Sequence, residues 1–283
     1  MFRRGRDETV TVPAVCATFL LGGGRWATAA GFPGLRGPSF CVRRCGERLH
    51  EVLTMFNGYA ATIVDGAWLT LQLALLSMAL AAVLGLVGAA FRLSPVRWLA
   101  WCGDAYSTVI RGVPDLVLIL LIFYGGQDLV NRVAPLLGHD DYIDLNPFVV
   151  GVGTLGFIFG AYLSETFRGA FMAIPKSQAE AGFAYGMSHL QVFFRVQVPQ
   201  MIRLAIPGFT NNWLVLVKAT ALISVVSLQD MMFKAKQAAD ATREPFTWYL
   251  FVAALYLVVT SVSLLLLRLL ERRYSVGVKV ADL

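Results

Sequence analysis

The sequence predicts an all-α membrane protein with five transmembrane helices, and three observations carry that prediction. Of 283 residues, 57% are hydrophobic and only 15% charged, against about 25% charged residues in soluble domains, and the mean hydropathy is +0.64. Uncharged runs long enough to cross a bilayer recur: residues 67–90, 145–164 and 246–267 contain no Asp, Glu, Lys, Arg or His, and about 20 apolar residues span a hydrocarbon core roughly 30 Å thick. Lys and Arg punctuate these runs without clustering on one face, so the net charge of +6 fits membrane topology better than a nucleic-acid partner. This composition excludes a disordered chain and argues against a soluble enzyme.

The first span is expected over residues 64–91, ending at Arg92, and the third over 146–164, ending beside Glu165. The fifth is expected over 246–268. Two others are less clean: 113–130 lies between the turn-forming Gly112-Val113-Pro114 and Asp128, and 204–229 is interrupted by Asn211, Asn212 and Lys218. Between the first two, Val96, Trp98, Leu99, Trp101 and Tyr106 interleave with Arg92, Arg97 and Asp104, an amphipathic stretch suited to the membrane surface. If the chain enters the first span from outside, the inside segments carry Arg92, Arg97, Arg111, Arg168, Lys176, Arg195, Arg203, Arg268, Arg272, Arg273 and Lys279. The outside segments then carry only Arg132, Lys234, Lys236 and Arg243. Because cytoplasmic loops hold the excess of Lys and Arg, this places the C-terminus in the cytoplasm and makes 164–203 the longest cytoplasmic segment.

Residues 1–54 read differently. They hold three of the four cysteines (Cys16, Cys41, Cys45; the other is Cys102), eight of the nineteen arginines and the run Gly22-Gly23-Gly24, with no helical apolar stripe. Val12 to Leu21 behind Arg3, Arg4 and Arg6, with Ala27 to Ala30 beyond, has some features of a signal peptide, but Gly22 to Arg25 interrupts it. The expectation is a poorly structured extension, or upstream sequence before a start at Met55. The cysteines offer no CxxC pair and the histidines (His50, His139, His189) no ligand cluster, so neither a metal site nor a disulfide framework is expected.

The segment from Glu165 to Arg203 carries the function. Glu180, Ala181 and Gly182 are expected to open a short helix with Gly186 after it, and small side chains let a partner approach the backbone closely. Phe183, Tyr185 and Met187 lie alongside. Val196, Val198 and Pro199 follow at fixed spacing. A helical knob with an acidic first turn suits insertion into a partner's groove.

This pattern resembles the EAA loop, EAA-x3-G-x9-I-x-L-P, of permease subunits of ABC importers. Gly182 stands where that family has its second Ala, and Val196 and Val198 stand for Ile and Leu. The resemblance extends over about 55–283. The segments IRGVPDLVLILLIFYG, GAYLSETFRGAFMAIPKSQAEA and KATALISVVSLQDM are similar to polar amino-acid permeases, closest to the Q-type subunits of histidine and lysine/arginine/ornithine importers. The resemblance implies a type I (MetI-like) importer bundle with a cytoplasmic coupling helix. It also implies carriage of basic amino acids (histidine, lysine, arginine, ornithine) or related opines across the bacterial inner membrane. Glu180, Ala181, Gly182, Gly186, Val196, Val198 and Pro199 would then couple to an ATPase.

Energy must come from elsewhere. A Walker A loop needs Gly before its Lys, and none of the five lysines follows a glycine. No cofactor is expected on this chain; the resemblance implies that ATP and Mg sit on a separate ATP-binding subunit pair. It likewise implies a second permease chain of M type and a periplasmic amino-acid-binding protein, besides membrane lipid. Ionisable groups inside a membrane mark functional sites by default, which singles out Asp115 and Lys218. Asp115 either offsets a cationic substrate side chain or caps the helix that starts after Pro114. Lys218 either receives a substrate carboxylate, or pairs with Asp230 or a helix C-terminus near the partner interface. Thr220 and Ser224 share a helix face and could line the path or simply pack, as Asn211 and Asn212 do by default. Gly85 and Gly88, with Ala81 and Ala89, read as close helix contacts. His139, beside Asp140 and Asp141, reads as a solvated loop residue. The alternative to an importer subunit is an ATP-independent secondary transporter or channel, which would favour inverted repeats and paired broken helices; the sequence displays neither.

Overall fold

The computed structural model describes residues 38–137, 141–226 and 228–274, with side chains for 58–136, 141–226, 228–269 and 271. The chain divides into two units, 1–53 and 54–283, and the second holds the helical bundle. The cysteines, arginines and signal-like patch of residues 1–37 lie outside the described residues, as does His139.

Nine α-helices and no strand occur among the described residues. They are α1 (Pro38–Arg92), α2 (Arg97–Gly112), α3 (Asp115–Val133), α4 (Pro147–Met172), α5 (Lys176–Ala184), α6 (His189–Val192), α7 (Val198–Ile223), α8 (Met231–Thr242) and α9 (Pro245–Tyr274). A π-helical turn, Phe193–Gln197, joins α6 to α7. Among the described residues, five stretches are long and apolar enough to cross a membrane: Gly58–Arg92, Asp115–Leu136, Pro147–Met172, His189–Val226 and Pro245–Leu269.

Local sequence explains the boundaries. Pro114 has no amide hydrogen to offer and precedes the first turn of α3, where a missing donor is harmless. Asn146 caps α4 by accepting from the Phe148 amide at 2.9 Å, with Pro147 in the first turn. Asp230 caps α8, its Oδ1 accepting from the Phe233 amide at 2.9 Å. Arg243, in the left-handed region at φ 57°, turns the chain from α8 into α9.

Helix α4 is the axis of the bundle. Leu155, Ile158, Phe159, Ala161 and Leu163 are all buried, and α4 packs against α2, α3 and α7. Lipid tails are as apolar as leucine, so tight helix pairing depends on close van der Waals fit and not on escape from water. The α1–α4 contact shows this in both directions. A Cβ on Gly85 would fall 2.7 Å from the Leu163 Cβ, and one on Gly88 2.9 Å from the Ser164 Cβ; on α4, a Cβ on Gly156 would fall 2.6 Å from Leu80 and one on Gly160 2.9 Å from the Leu84 Cβ. The expected contacts at Gly85 and Gly88 are therefore present, with Ala81 and Ala89 buried beside them. A second cluster joins Ile63 of α1, Met231, Ala235, Ala238 and Ala239 of α8, and Trp248 and Val252 of α9.

The structure revises three expectations. Helix α4 does not stop at Ser164 but continues to Met172; Glu165 and Arg168 sit at helical spacing and pair with each other, and Glu165 also pairs with Arg92 and Arg111. The connection between α4 and α7 is 173–197, within the stretch 164–203 expected on the cytoplasmic side. Among the described residues helix α1 runs from Pro38, inside the stretch expected to lack regular structure. The stretch after the first span is not merely a surface strip: α2 buries Gly103, Ser107 and Ile110, and the Tyr106 hydroxyl donates to the Phe157 carbonyl of α4 at 2.5 Å. Trp98 and Trp101, stacked at 5.7 Å, are left exposed.

Candidate functional site

Between α4 and α7 the chain makes a compact knob. Pro175 ends the preceding turn and Lys176 starts α5. The helix thus opens four residues before Glu180, which sits in its second turn; the first turn contains no acidic residue, so the expected dipole effect of Glu180 does not arise. Glu180 and Ala181 are exposed. Gly182 faces inward, where a Cβ would come 2.9 Å from the Val192 Cγ2. Its lack of a side chain lets α5 close down on α6.

The turn after α5 depends on Gly186, whose φ of +75° lies in the left-handed region. Its amide donates to the Phe183 carbonyl at 2.9 Å, and the Met187 amide donates to the Gly182 carbonyl at 3.1 Å, a glycine-terminated helix end. Ser188 and Gln191 then form a reciprocal capping box: the Gln191 amide donates to Ser188 Oγ and the Ser188 amide to Gln191 Oε1. Val196 and Val198 are half-buried and Pro199 is exposed in the first turn of α7. Five large apolar side chains remain open around Glu180 and Ala181: Phe183, Tyr185 (87% exposed), Leu190, Phe193 and Phe194. Phe183 meets His189 edge-on at 4.8 Å.

An ionic cluster lies at the same end of the bundle, and sequence reasoning did not anticipate it. Glu165 of α4 pairs with Arg92 of α1, with Arg111 of α2 at 3.5 Å and with Arg168 one turn on at 3.2 Å. Arg92, 10% exposed, also holds Asp104 of α2 at 2.6 Å. The Arg111 guanidinium lies 5.7 Å from the centre of the Tyr162 ring, and the Tyr162 hydroxyl donates to Asp115 Oδ1 at 3.4 Å. Four helices are joined by these contacts. In the sequence the arginines read only as topology signals; the one local clue was Glu165 with Arg168 at helical spacing.

The candidate path residues separate. Asp115 does not cap α3, whose N-cap is Pro114; it lies half-buried in the first turn, bound to Tyr162, where the helix dipole favours a carboxylate. Lys218 is exposed and forms no ion pair among the described residues. Asp230 is not its partner, being fully buried and engaged in capping α8. Thr220 is fully buried, donating to the Val217 carbonyl at 2.6 Å with the Tyr256 hydroxyl 3.4 Å away. Ser224 is half-buried and donates to the Ala221 carbonyl. Asn212 packs as expected, donating to Thr166 of α4 at 3.0 Å and to the Gly208 carbonyl.

Comparison with known proteins agrees with this architecture. The family described as binding-protein-dependent transport system inner membrane component matches residues 65–276. The histidine/lysine/arginine/ornithine transport system permease protein HisQ of Salmonella typhimurium is 52% identical over 229 residues, which is 81% of this chain and 100% of the relative. The arginine ABC transporter permease protein ArtQ of Escherichia coli is 37% identical over 223 residues, 75% of this chain and 94% of the relative. The octopine transport system permease protein OccQ of Rhizobium radiobacter is 37% identical over 79% of this chain and 94% of the relative. A crystal structure of an amino acid ABC transporter with histidines superposes with a TM-score of 0.67 at 30% identity, covering 78% of this chain and 97% of that one. The MetNI methionine ABC transporter in an inward-facing conformation, at 18% identity and a TM-score of 0.57, covers 75% of this chain and 95% of that one and shares the fold.

Proposed function

The chain belongs to the family of binding-protein-dependent transport system inner membrane components, and on that premise we propose that it is the Q-type permease subunit of an ATP-driven importer of basic amino acids or opines. The knob between α4 and α7 supports this most directly. It exposes Glu180 and Ala181 among Phe183, Tyr185, Leu190 and Phe194, a patch too apolar to be left in water and held by a glycine turn and a capping box. It is the docking element for an ATP-binding subunit. Because α4 and α7 enter it from both sides and pack on each other through Thr166, Gly208 and Asn212, a push on the knob moves both spans together.

In this reading the knob and the C-terminus face the cytoplasm, consistent with the distribution of Lys and Arg. ATP and Mg are bound by the partner pair, and this chain contributes no residue to hydrolysis. A second permease chain of M type completes the pathway, and a periplasmic binding protein delivers the solute to the opposite end. The basic class of solute rests on the relatives' named systems and on Asp115, a half-buried carboxylate beside Tyr162 that can offset a cationic side chain in a medium of low dielectric.

The test is a reconstituted complex of both permeases and the ATP-binding subunit. Glu180→Arg or Gly186→Asp leaves membrane insertion intact, while co-purification of the ATPase and solute uptake are lost; unchanged uptake rules out docking at the knob. Asp115→Asn lowers ATPase stimulation by lysine- or arginine-loaded binding protein more than by a neutral amino acid, whereas an equal loss across solutes assigns Asp115 a purely structural role.

A further inference from the structure

Helix α2 connects the end of one span to the start of the next. The apolar stretch of α1 ends at Arg92 and that of α3 begins at Asp115, so both ends of α2 belong to one membrane surface. Arg97, Asp104 and Arg111 recur every seven residues and follow one edge of the helix over about 21 Å. Trp98 and Trp101, stacked on each other, and Val109 are exposed on the adjoining face.

The charges along the edge do not balance. Arg92 engages both acids of the cluster, Asp104 and Glu165. Arg111 is left with a weaker share: its Nη1 stands 3.5 Å from the same Glu165 oxygen that Arg92 holds, outside the usual hydrogen-bond range, and its side chain is 43% exposed. Arg168 takes the other Glu165 oxygen at 3.2 Å. Arg97 is exposed and in no ion pair among the described residues. Four guanidiniums thus meet two carboxylates, and a guanidinium presents a planar fork of donors suited to phosphate.

We infer that α2 is an anchor for anionic lipid: Arg97 and Arg111 hold the phosphodiesters of negatively charged phospholipids, with Trp98 and Trp101 set among the headgroups. The lipid supplies the negative charge that the arginines lack. Two features favour it over a dissolved anion or an acidic protein segment. The helix lies where two spans end, which is the level of the headgroups, and indole rings concentrate there; a stacked, exposed pair of them beside Arg97 offers nothing to free phosphate. Cytoplasmic leaflets also carry the negative surface charge that draws basic segments, in agreement with the orientation proposed above.

The test places the assembled complex of both permeases and the ATP-binding subunit in mixed vesicles of phosphatidylcholine and phosphatidylglycerol, one or the other brominated so that it quenches any indole it touches. The share of Trp98 and Trp101 is the difference from a Trp98→Phe, Trp101→Phe variant. That share is quenched more by brominated phosphatidylglycerol than by brominated phosphatidylcholine at equal mole fraction, and raised salt reduces the preference. Arg97→Gln, which breaks no ion pair, lowers it by about fivefold, as for loss of one basic side chain at a charged surface, and Arg97→Lys keeps most of it. In the background without Trp98 and Trp101, a Thr108→Trp reporter reads the other end, where Arg111→Gln has the same effect. Equal quenching by the two lipids, or a preference unchanged in both Arg97→Gln and Arg111→Gln, overturns the inference. Quenching by neither lipid overturns it by showing a protein surface over α2. Loss of the preference in inorganic phosphate, but not in chloride of equal ionic strength, overturns it in favour of a soluble anion.

Discussion

At the scale of single residues, Asp230 and Gly182 show how burial decides what a side chain does. Asp230 is fully buried; one carboxylate oxygen caps α8 and the other, Oδ2, has no hydrogen-bond partner among the described residues. Burial pushes its pKa up to about 6, partly offset by the backbone amides of Phe233 and Met232. An exposed aspartate titrates near 3.8, so the folded protein holds the extra proton between roughly pH 4 and 6. Stability from this group therefore falls as pH rises through that window. Asp230→Asn keeps a good cap and removes the buried charge. We expect a higher melting temperature than wild type at pH 7.5, worth up to roughly 3 kcal/mol, with the difference shrinking as pH falls from about 6 and closing below about pH 4; a constant difference across that range would assign the effect to packing. Gly182 is the other case. Gly182→Ala drives a methyl into Val192 and is expected to cost about 1–3 kcal/mol as an overpacked contact. Adding Val192→Ala should recover part of the loss, read as the melting temperature and as ATPase retention.

At the scale of elements, the α1–α4 contact depends on what is missing from it. Gly85→Ala meets the Leu163 Cβ at 2.7 Å, whereas a methyl placed on Gly153 of α4 would find nothing within 4 Å. Gly85→Ala is therefore expected to lower the melting temperature of the purified complex, at about 1–3 kcal/mol, while Gly153→Ala is neutral or slightly stabilising, since alanine favours helix by about 1 kcal/mol over glycine. Similar losses from the two would remove close approach as the cause. The Gly85 and Gly88 half of this contact was legible because small residues stand out in an apolar run. Their counterparts Gly156 and Gly160 were not, because nothing local separates a contact glycine from a tolerated one. Glu165 was missed for a related reason: its partner Arg92 lies 73 residues away, and only the packing of α1 on α4 brings them together.

At the scale of the whole molecule, topology and coupling are one prediction. In a background without native cysteines, Tyr185→Cys is expected to react with a membrane-impermeant maleimide only from the cytoplasmic side and Tyr142→Cys, also exposed, only from the other; the reverse pattern would invert the proposed orientation. Composition and periodicity alone determined the number of spans, their approximate positions and the place of the knob, because hydrophobic length and Gly/Pro punctuation are local properties of the chain. The tertiary structure decided where α4 ends, which charges pair across helices, that Thr220 is buried and that Lys218 is left open. Those outcomes depend on which faces of distant helices meet, and a face has no meaning until a second helix lies against it.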